Sequence, residues 1–480
     1  MSSAVEMREL TAAAGGLLEA FYSEVYEREF PDPDERESLA NIARYLSLRD
    51  DGWYGRNNYH VVLACRGDTV LGGCILDYLA EPNAGVIEFL FTVVAARGQG
   101  VGRSLLAEAE RLATVDASRT GRALAWIAAE MNDPFVATEV PDNMDPFVRA
   151  RIWHGWGFGA LDCPYVQPAL SAGQQPAEGL LLIAKPIAAA WRAGVPASLV
   201  RCLVAEYLRW AMRIDAPEAN PQFRALADWL GRRETVDLTP LARYIGEYAA
   251  DETAVPAFDV IELRDVRQPE FAAAINVYRR AFDSPSTAVE PASFVRGLRR
   301  YAETGYRYHL WAVRSRGDGM VAGMASFFGF AGMGFGGYVV LEGALRGVGC
   351  LRPVLARMER QLIADGLGMR GWLIECETAT TVDVFRRCGF FALDAGYTQP
   401  DLPGSAGGGT PPLILMYRRF GRVYGPPRLT VGELLDGLAE VLRHVYRVAE
   451  PHAHPTLRAV AARIGGSMVP VHEGPIAPAP

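Results

Sequence analysis

The stretch Arg97-Gly-Gln-Gly-Val-Gly102 joins two segments of different periodicity. Residues 86–94 form a β-branched and aromatic run that reads as a buried strand. Val101, Leu105, Leu106, Ala109 and Leu112 recur at the spacing of one helix face. A strand that turns through glycines into a helix leaves several backbone N–H groups without intrahelical partners. With the positive end of the helix dipole, these donors suit a phosphate or pyrophosphate. Gly100 and Gly102 would let the backbone approach that anion with no Cβ in the way. The glycine spacing is neither GxGxxG nor GxxxxGK[ST], so the dinucleotide fingerprint and the phosphate-binding loop are excluded.

Carboxylates that could move a proton lie close by. Glu88 stands within the apolar strand, where burial would raise its pKa toward the range of a base working near neutrality. The alternative is that it pairs with an arginine or faces solvent. Glu130 ends a strand expected at 122–129. The polar loop after it carries Asp133, Glu139, Asp142 and Asp145. Such a loop either steers a cationic substrate or is simply solvated. No Gly-x-Ser-x-Gly elbow is present. His452-Ala-His454 has no carboxylate or cysteine at ligand spacing, so no metal is expected.

These residues need a scaffold, and the 480-residue chain is long enough for two or three domains. Half of the residues are hydrophobic and 22% are charged, the balance of an ordinary soluble protein with ample core. A net charge of −8 argues against nucleic acid or an anionic membrane as partner. The first residues, MSSAVEMREL, lack the basic and apolar regions of a secretory signal, and no apolar run is long enough to cross a bilayer. Seven cysteines without a CxxC pair suit reduced thiols in a cytoplasm.

Taken in order, the first segment reads as a strand at 6–10, helices at 17–30 and 39–46, and a hairpin of strands at 60–65 and 70–78. The strand and helix around Arg97 follow, then the strand at 122–129 and a helix at 147–156. Strands at 165–170 and 180–187 complete it. Residues 189–256 look different: apolar stripes at Leu199, Val200, Leu203, Val204, Tyr207 and Leu208, and at Leu226, Trp229 and Leu230, mark a helical linker or insertion.

The second half repeats the first. Gly157-Phe-Gly-Ala-Leu-Asp-Cys-Pro-Tyr-Val-Gln-Pro-Ala-Leu170 aligns without a gap with Gly389-Phe-Phe-Ala-Leu-Asp-Ala-Gly-Tyr-Thr-Gln-Pro-Asp-Leu402. Arg97-Gly-Gln-Gly-Val-Gly102 aligns with Arg346-Gly-Val-Gly-Cys-Leu351, and 180–187 with 413–418. Strands are expected in the repeat at 260–263, 308–313, 321–328, 337–341 and 372–376. A helix at 431–448 and a loose tail follow.

Arg97-x-x-Gly100-x-Gly102 after a strand, the element order over 5–188 and the Gly-Phe after the last helix together resemble the GNAT N-acetyltransferases. The resemblance implies an α/β fold with a mixed sheet, in two tandem domains. The first spans 1–188 and has an intact loop. A helical linker covers 189–256. The second domain, 257–420, has a degenerate loop, and a C-terminal helical segment covers 421–480. It further implies that Arg97, Gly98, Gln99, Gly100, Val101, Gly102 and Arg103 hold the pyrophosphate of acetyl-CoA or another acyl-CoA. Backbone groups of Thr92 and Val93 would contact pantetheine and polarise the thioester carbonyl. Leu351 would crowd the corresponding approach in the second copy. That copy would then complete the substrate pocket or stabilise the chain.

The tyrosine that usually protonates the leaving thiolate in that family lies four residues before the Gly of Gly-Phe. Trp153 and Phe385 stand there instead. Tyr165, His154 or water would have to substitute. The expected catalytic residues are thus Glu88, Glu130 and Tyr165. The expected activity is acyl transfer from acyl-CoA to a small-molecule amine in the cytoplasm, without metal, nucleic acid or membrane and with an oligomer open. Other acyl-CoA chemistry (O- or S-acyl transfer, thioester hydrolysis, decarboxylation) and non-catalytic acyl-CoA binding are the competing readings.

Overall fold

In a computed structural model of the protein, the hairpin expected at 60–78 becomes the second and third strands of a nine-stranded sheet. Residues 4–30, 36–136, 143–169, 175–191, 194–247, 257–282, 288–301, 307–402 and 413–472 are described by the structure. The chain forms two units: 1–134 with 138–244, and 245–480 with 135–137.

The first unit contains β1 (Glu6–Glu9), β2 (Asn58–Arg66), β3 (Thr69–Leu79), β4 (Ala84–Thr92), β5 (Trp126–Asn132), β6 (Gly159–Leu161), β7 (Leu180–Pro186), β8 (Gly194–Pro196) and β9 (Thr235–Pro240). They lie in the order β1-β2-β3-β4-β5-β7-β6-β9-β8. Every neighbouring pair is antiparallel except β4–β5, which is parallel. The helices are α1 (Gly15–Phe21), which runs through a π-turn into α2 (Glu27–Glu29), α3 (Leu39–Asp50), α4 (Val101–Arg119), α5 (Pro146–Gly155), α6 (Ala197–Trp210), α7 (Pro221–Leu230) and α8 (Leu241–Tyr244).

Alternation along β2 assigns the two faces of the sheet. Tyr59, Val61 and Leu63 join Phe21, Tyr26, Ile42, Tyr45 and Leu46 in one core, against α1 and α3. His60 points the other way, where its Nε2 meets Asp116 of α4 at 2.7 Å, and its Nδ1 meets Glu9 at 2.7 Å. Helix starts follow local chemistry. Ser38 caps α3 by accepting from Asn41 N–H, and Asp145 caps α5 by accepting from Val148 N–H, with Pro146 at the first helical position.

The second unit contains β10 (Phe258–Glu262), β11 (Arg307–Ser315), β12 (Val321–Phe330), β13 (Met333–Leu341), β14 (Gly371–Cys376), β15 (Phe391–Leu393), β16 (Ile414–Arg419) and β17 (Val471–His472). Its helices are α9 (Pro269–Ala281), α10 (Ala292–Arg300), α11 (Leu351–Ala364), α12 (Ala379–Arg387), α13 (Val431–His444) and α14 (Pro455–Arg463). The strand order β10-β11-β12-β13-β14-β16-β15-β17 matches the first eight positions of the first sheet. The buried histidine recurs too: His309 bridges Glu262 and Asp365.

Three local differences from the sequence reading stand out. Residues 165–169 are irregular apart from a bridge between Gln167 and Ala177, and the short strand of this region is β6. The strand expected at 122–129 begins at Trp126, because Asn83 and Arg122 tie the preceding turn to the chain at residues 80–81 and 123. Residues 189–244, expected as part of a linker, belong to the first unit. There β9 pairs with β6 and β8 with β9, while α6 and α7 pack beneath. The corresponding β17 pairs with β15, and α13 and α14 lie in the core of the second unit. Pro217, Pro221 and the left-handed Arg213 correspond to Pro451, Pro455 and the left-handed Arg447. The repeated unit therefore includes a helix pair and a closing strand.

Candidate active site

Glu88 owes its position to a β-bulge. Ile75 pairs with Phe89 and Leu76 with Ile87, which leaves Glu88 as the extra residue of β4. At the same point β4 parts from β5, since their pairing covers Ala84–Ile87 of β4 only. Glu88 therefore borders a gap between two parallel strands. Its surface is part exposed, and protein packs around its carboxyl. Asp77 of β3, 1% exposed, lies beside it. Burial first, and then the charge of Asp77, pushes the Glu88 carboxyl well above the usual range. Burial also raises Asp77. Two neighbouring buried carboxyls hold one proton between them more readily than two charges, so they titrate as a pair. Asp77 is the residue that sequence reasoning missed. A lone aspartate in an apolar strand was its signal.

Beyond the bulge, β4 offers backbone groups to the gap. Val93 N–H donates to Leu71 O at 3.0 Å, which fixes the alternation of the ladder. Phe89, Phe91 and Val93 point their polar groups at β3, and Leu90 and Thr92 point theirs away. Of the two residues expected to face a thioester, Thr92 turns its backbone groups away from β3 while Val93 spends its N–H on the ladder. Arg97 Nε donates to Thr92 O at 3.3 Å, so Thr92 N–H and both groups of Leu90 remain on the open side.

The turn into α4 runs through two left-handed glycines to a helix start without a side-chain cap. Gly98 and Gly100 adopt φ of 75° and 82°, and a Cβ built on either would meet no atom within 4 Å. Helix α4 is 19 residues long and has no side-chain cap at its start. Gln99 and Arg103 flank the turn. The Gln99 amide donates to Ala95 O, and Arg103 is exposed. Two expectations change here. The Arg97 guanidinium is committed to Glu29 at 3.2 Å and to Asn143 O at 3.0 Å, where it braces the loop. At Gly102 the missing Cβ makes room for Trp156, whose ring would lie 3.1 Å from it.

Glu130 and Tyr165 meet each other. Tyr165 O–H donates to one Glu130 oxygen, and Tyr207 O–H donates to the other at 3.2 Å. Burial raises Glu130 to about 7, against the opposing effect of the two tyrosine bonds. The proton of Tyr165 is thus engaged by Glu130, and burial pushes its hydroxyl far above the ordinary range. Helix α6 supplies Tyr207, so this triad ties the appended helices to the end of β5. The second unit builds it again: Tyr397 and Tyr446 both donate to Glu375 of β14. Trp153 is buried and packs edge-on against Phe158 at 4.6 Å. Phe385 repeats this against Phe390 at 5.4 Å. These two positions are filled by ring packing. Of the acidic loop, Asp133 accepts from Tyr244 O–H and Asp145 caps α5, while Glu139 and Asp142 lie outside the described residues.

The second unit keeps the scaffold of this site and not its carboxyls. Its bulge leaves Gly337 unpaired, at the position of Glu88, and Phe328 stands at the position of Asp77. Gly347 and Gly349 retain the left-handed turn at φ of 77° and 88°. Leu351 replaces Gly102, while Cys388 replaces Trp156. At these two aligned positions the large and the small side chain have changed places.

Among the described residues, no group of three or more His, Cys, Asp or Glu could hold a metal ion, and no helix is long and apolar enough to cross a membrane.

Residues 19–134 match the acetyltransferase (GNAT) family. The matched segment lies within the first unit. The tandem GNAT protein from the clavulanic acid biosynthesis pathway is similar over 88% of this chain and 100% of its own, at 15% identity and a TM-score of 0.26. The PaiA N-acetyltransferase from Thermoplasma acidophilum, in complex with coenzyme A, covers 38% of this chain and 99% of its own, at 14% identity and a TM-score of 0.27. The yncA acetyltransferase from Salmonella typhimurium, with its cofactor acetyl-CoA, covers 38% and 95%, at 16% identity and a TM-score of 0.27. No curated protein sequence matches the chain.

Proposed function

We propose that the first unit transfers an acyl group, acetyl foremost, from acyl-CoA to the amine of a small molecule, with the Asp77–Glu88 pair as general base. The observation that carries this reading is the pair itself. A buried carboxyl, Asp77, and a part-exposed one, Glu88, stand side by side where β4 and β5 part, and both are gone from the same place in the second unit.

The cradle at Gly98, Gly100 and the start of α4 fits a pyrophosphate, because its donors are uncapped and its glycines leave the approach open. Acyl-CoA supplies the activated acyl carbon as a thioester. Leu90 and Thr92 present backbone groups along the gap, where an N–H can polarise the thioester carbonyl. The acceptor arrives mostly as an ammonium, which cannot attack. The singly charged carboxyl pair takes its proton, and the raised pKa makes that carboxylate a stronger base than an ordinary one. A nitrogen–carbon bond then forms, the carbon–sulfur bond breaks, and the second proton of the nitrogen passes to the departing thiolate, which leaves as the CoA thiol.

In this account the second unit performs no transfer. Glu130 and Tyr165 serve architecture, since the same triad persists where Glu88 and Asp77 do not. Product analysis tests the proposal. The full chain incubated with acetyl-CoA and a panel of amines should yield free CoA and one acylated amine in equal amounts. Free CoA without acylated product would replace amine transfer by hydrolysis.

A further inference from the structure

Beside the carboxyl pair lies a row of polar groups that the transfer chemistry does not use. Arg213 follows α6 and sits in the left-handed region at φ 56°, an uncommon conformation for a non-glycine residue. Its guanidinium carbon lies 4.5 Å from the ring centre of Tyr45 and 4.8 Å from that of Trp53. Nη2 donates to Tyr54 O–H at 2.9 Å, whereas Nη1 is enclosed and has no hydrogen-bond partner among the described residues. Tyr54 stacks on Tyr59 with ring centres 6.1 Å apart and planes at 6°. The Tyr59 hydroxyl is also buried and without a partner among the described residues. Tyr59 stands directly across the β2–β3 ladder from Asp77. Asp77 Oδ2 is the third such atom, and Glu88 lies beside it.

Buried polar atoms are nearly always satisfied. Two of them, on Arg213 and Tyr59, lead to the third, on Asp77 of the reactive pair, and together they leave hydrogen-bonding capacity that the described residues do not fill. The row has a direction. One end offers a cationic N–H donor, the middle a hydroxyl, and the other end a carboxyl pair with a single charge. The Arg213 charge is felt at both Asp77 and Glu88, so the two ends belong to one electrostatic site.

Resting on the acyl-transfer reading above, we infer that the acceptor is an amino carboxylate: its amine faces Asp77 and Glu88, and its carboxylate is bound by Arg213 Nη1 and Tyr59. Charges then match at both ends, with the ammonium against the singly charged pair and the carboxylate against the guanidinium. A guanidinium is suited to this role because its donors are planar and it stays charged. The second unit offers the contrast. Arg447 keeps the left-handed backbone of Arg213 but is exposed, and its unit has Phe328 and Gly337 in place of the carboxyls. The backbone conformation is inherited by both copies; the buried guanidinium goes with the carboxyl pair.

The test uses the full-length chain with acetyl-CoA and reads CoA release together with product mass. Common L-amino acids and ω-amino acids are each compared with their carboxamides and their decarboxylated amines. The expected result is an amino carboxylate whose kcat/KM exceeds that of both analogues at least tenfold, because a site built to bond a group rejects the analogue that lacks it. Arg213→Met should erase that ratio by raising KM, and Arg213→Lys should restore part of it. The wild-type ratio stands even if a variant fails to fold. Equal or better turnover of amides or simple amines overturns the inference and leaves acyl transfer intact. Bound acetyl-CoA with no turnover of any amine overturns acyl transfer itself, and the inference with it.

Discussion

Gly102→Leu is the most instructive single change in the first unit. A Cβ at residue 102 would lie 3.1 Å from Trp156 Cη2 and 3.3 Å from Cζ2. That is tight for one carbon, and leucine adds three more toward the same ring. Trp156 packs against Trp153 with ring centres 5.3 Å apart, so it cannot retreat without disturbing a buried neighbour. Overpacking of this kind costs about 1–3 kcal/mol. For a unit of this size each kcal/mol lowers the melting temperature by roughly 2–4 °C. The strained residue is also in the first turn of α4, beside the cradle. The affinity for acetyl-CoA should therefore fall at least about tenfold, or about 1.4 kcal/mol. The second unit suggests the remedy, since Leu351 there is matched by Cys388. Trp156→Cys in the Gly102→Leu background should recover at least half of both losses. Trp156→Cys alone should destabilise by leaving a void. Calorimetric titration and thermal melts on the four proteins complete a double-mutant cycle. Effects that add within about 0.5 kcal/mol would refute the packing exchange. An unchanged Kd in Gly102→Leu would remove this turn from the pyrophosphate site.

Three further outcomes are expected. Calorimetry with acetyl-CoA should find one site per chain; two sites would show that the Leu351 turn still binds. Glu130→Gln should lower the melting temperature by the equivalent of about 1–3 kcal/mol, because an amide oxygen replaces only one of the two acceptors and the other tyrosine O–H loses its own; the pH dependence of turnover should not move. Stability should also fall as pH rises. His60 and His309 are held above the usual imidazole pKa, by bonds to Asp116 and Glu9 and to Asp365 and Glu262 that outweigh burial. Their contribution is complete below about 6.5, the ordinary value, and is lost as pH climbs through the raised one. Glu130, raised to about 7, adds to the same trend, because its folded form binds a proton that the unfolded form releases near 4.5. Urea unfolding from pH 5 to 9 reads this, and a flatter profile in His60→Asn and in Glu130→Gln is the expected signature.

Much of the fold was legible because periodicity reports burial locally. The 60–78 hairpin, the strand–glycine–helix unit at Arg97 and its counterpart at Arg346 all came from residues adjacent in sequence. What stayed hidden depended on long-range pairing. Strands β8, β9 and β17 are two to six residues long and carry too little pattern to be seen, so the segments holding them read as linker and tail. Glu88 stood out as a charge in an apolar run. Its partner Asp77 needs the β3–β4 register and the bulge at residue 88 before the two are neighbours. Arg213 lies in the segment taken for a linker, and its value comes from Tyr45, Trp53 and Tyr54, more than 150 residues earlier. Gly102 illustrates the opposite error. The glycine suggested an anion, yet the group that excludes its Cβ is an indole from the turn after α5.

The most direct measurement is the pH dependence of acetyl transfer in Asp77→Asn, Glu88→Gln and the double variant, with acetyl-CoA binding checked by calorimetry. The wild-type rate should rise with pH through the elevated pKa of the pair. Either single change removes the neighbouring charge, so the rising limb should shift to lower pH while much of the rate remains. The double variant should bind acetyl-CoA as the wild type does and lose about 10²–10⁴ in kcat. A double variant that turns over within threefold of the wild type would contradict the assignment of Asp77 and Glu88 as the base.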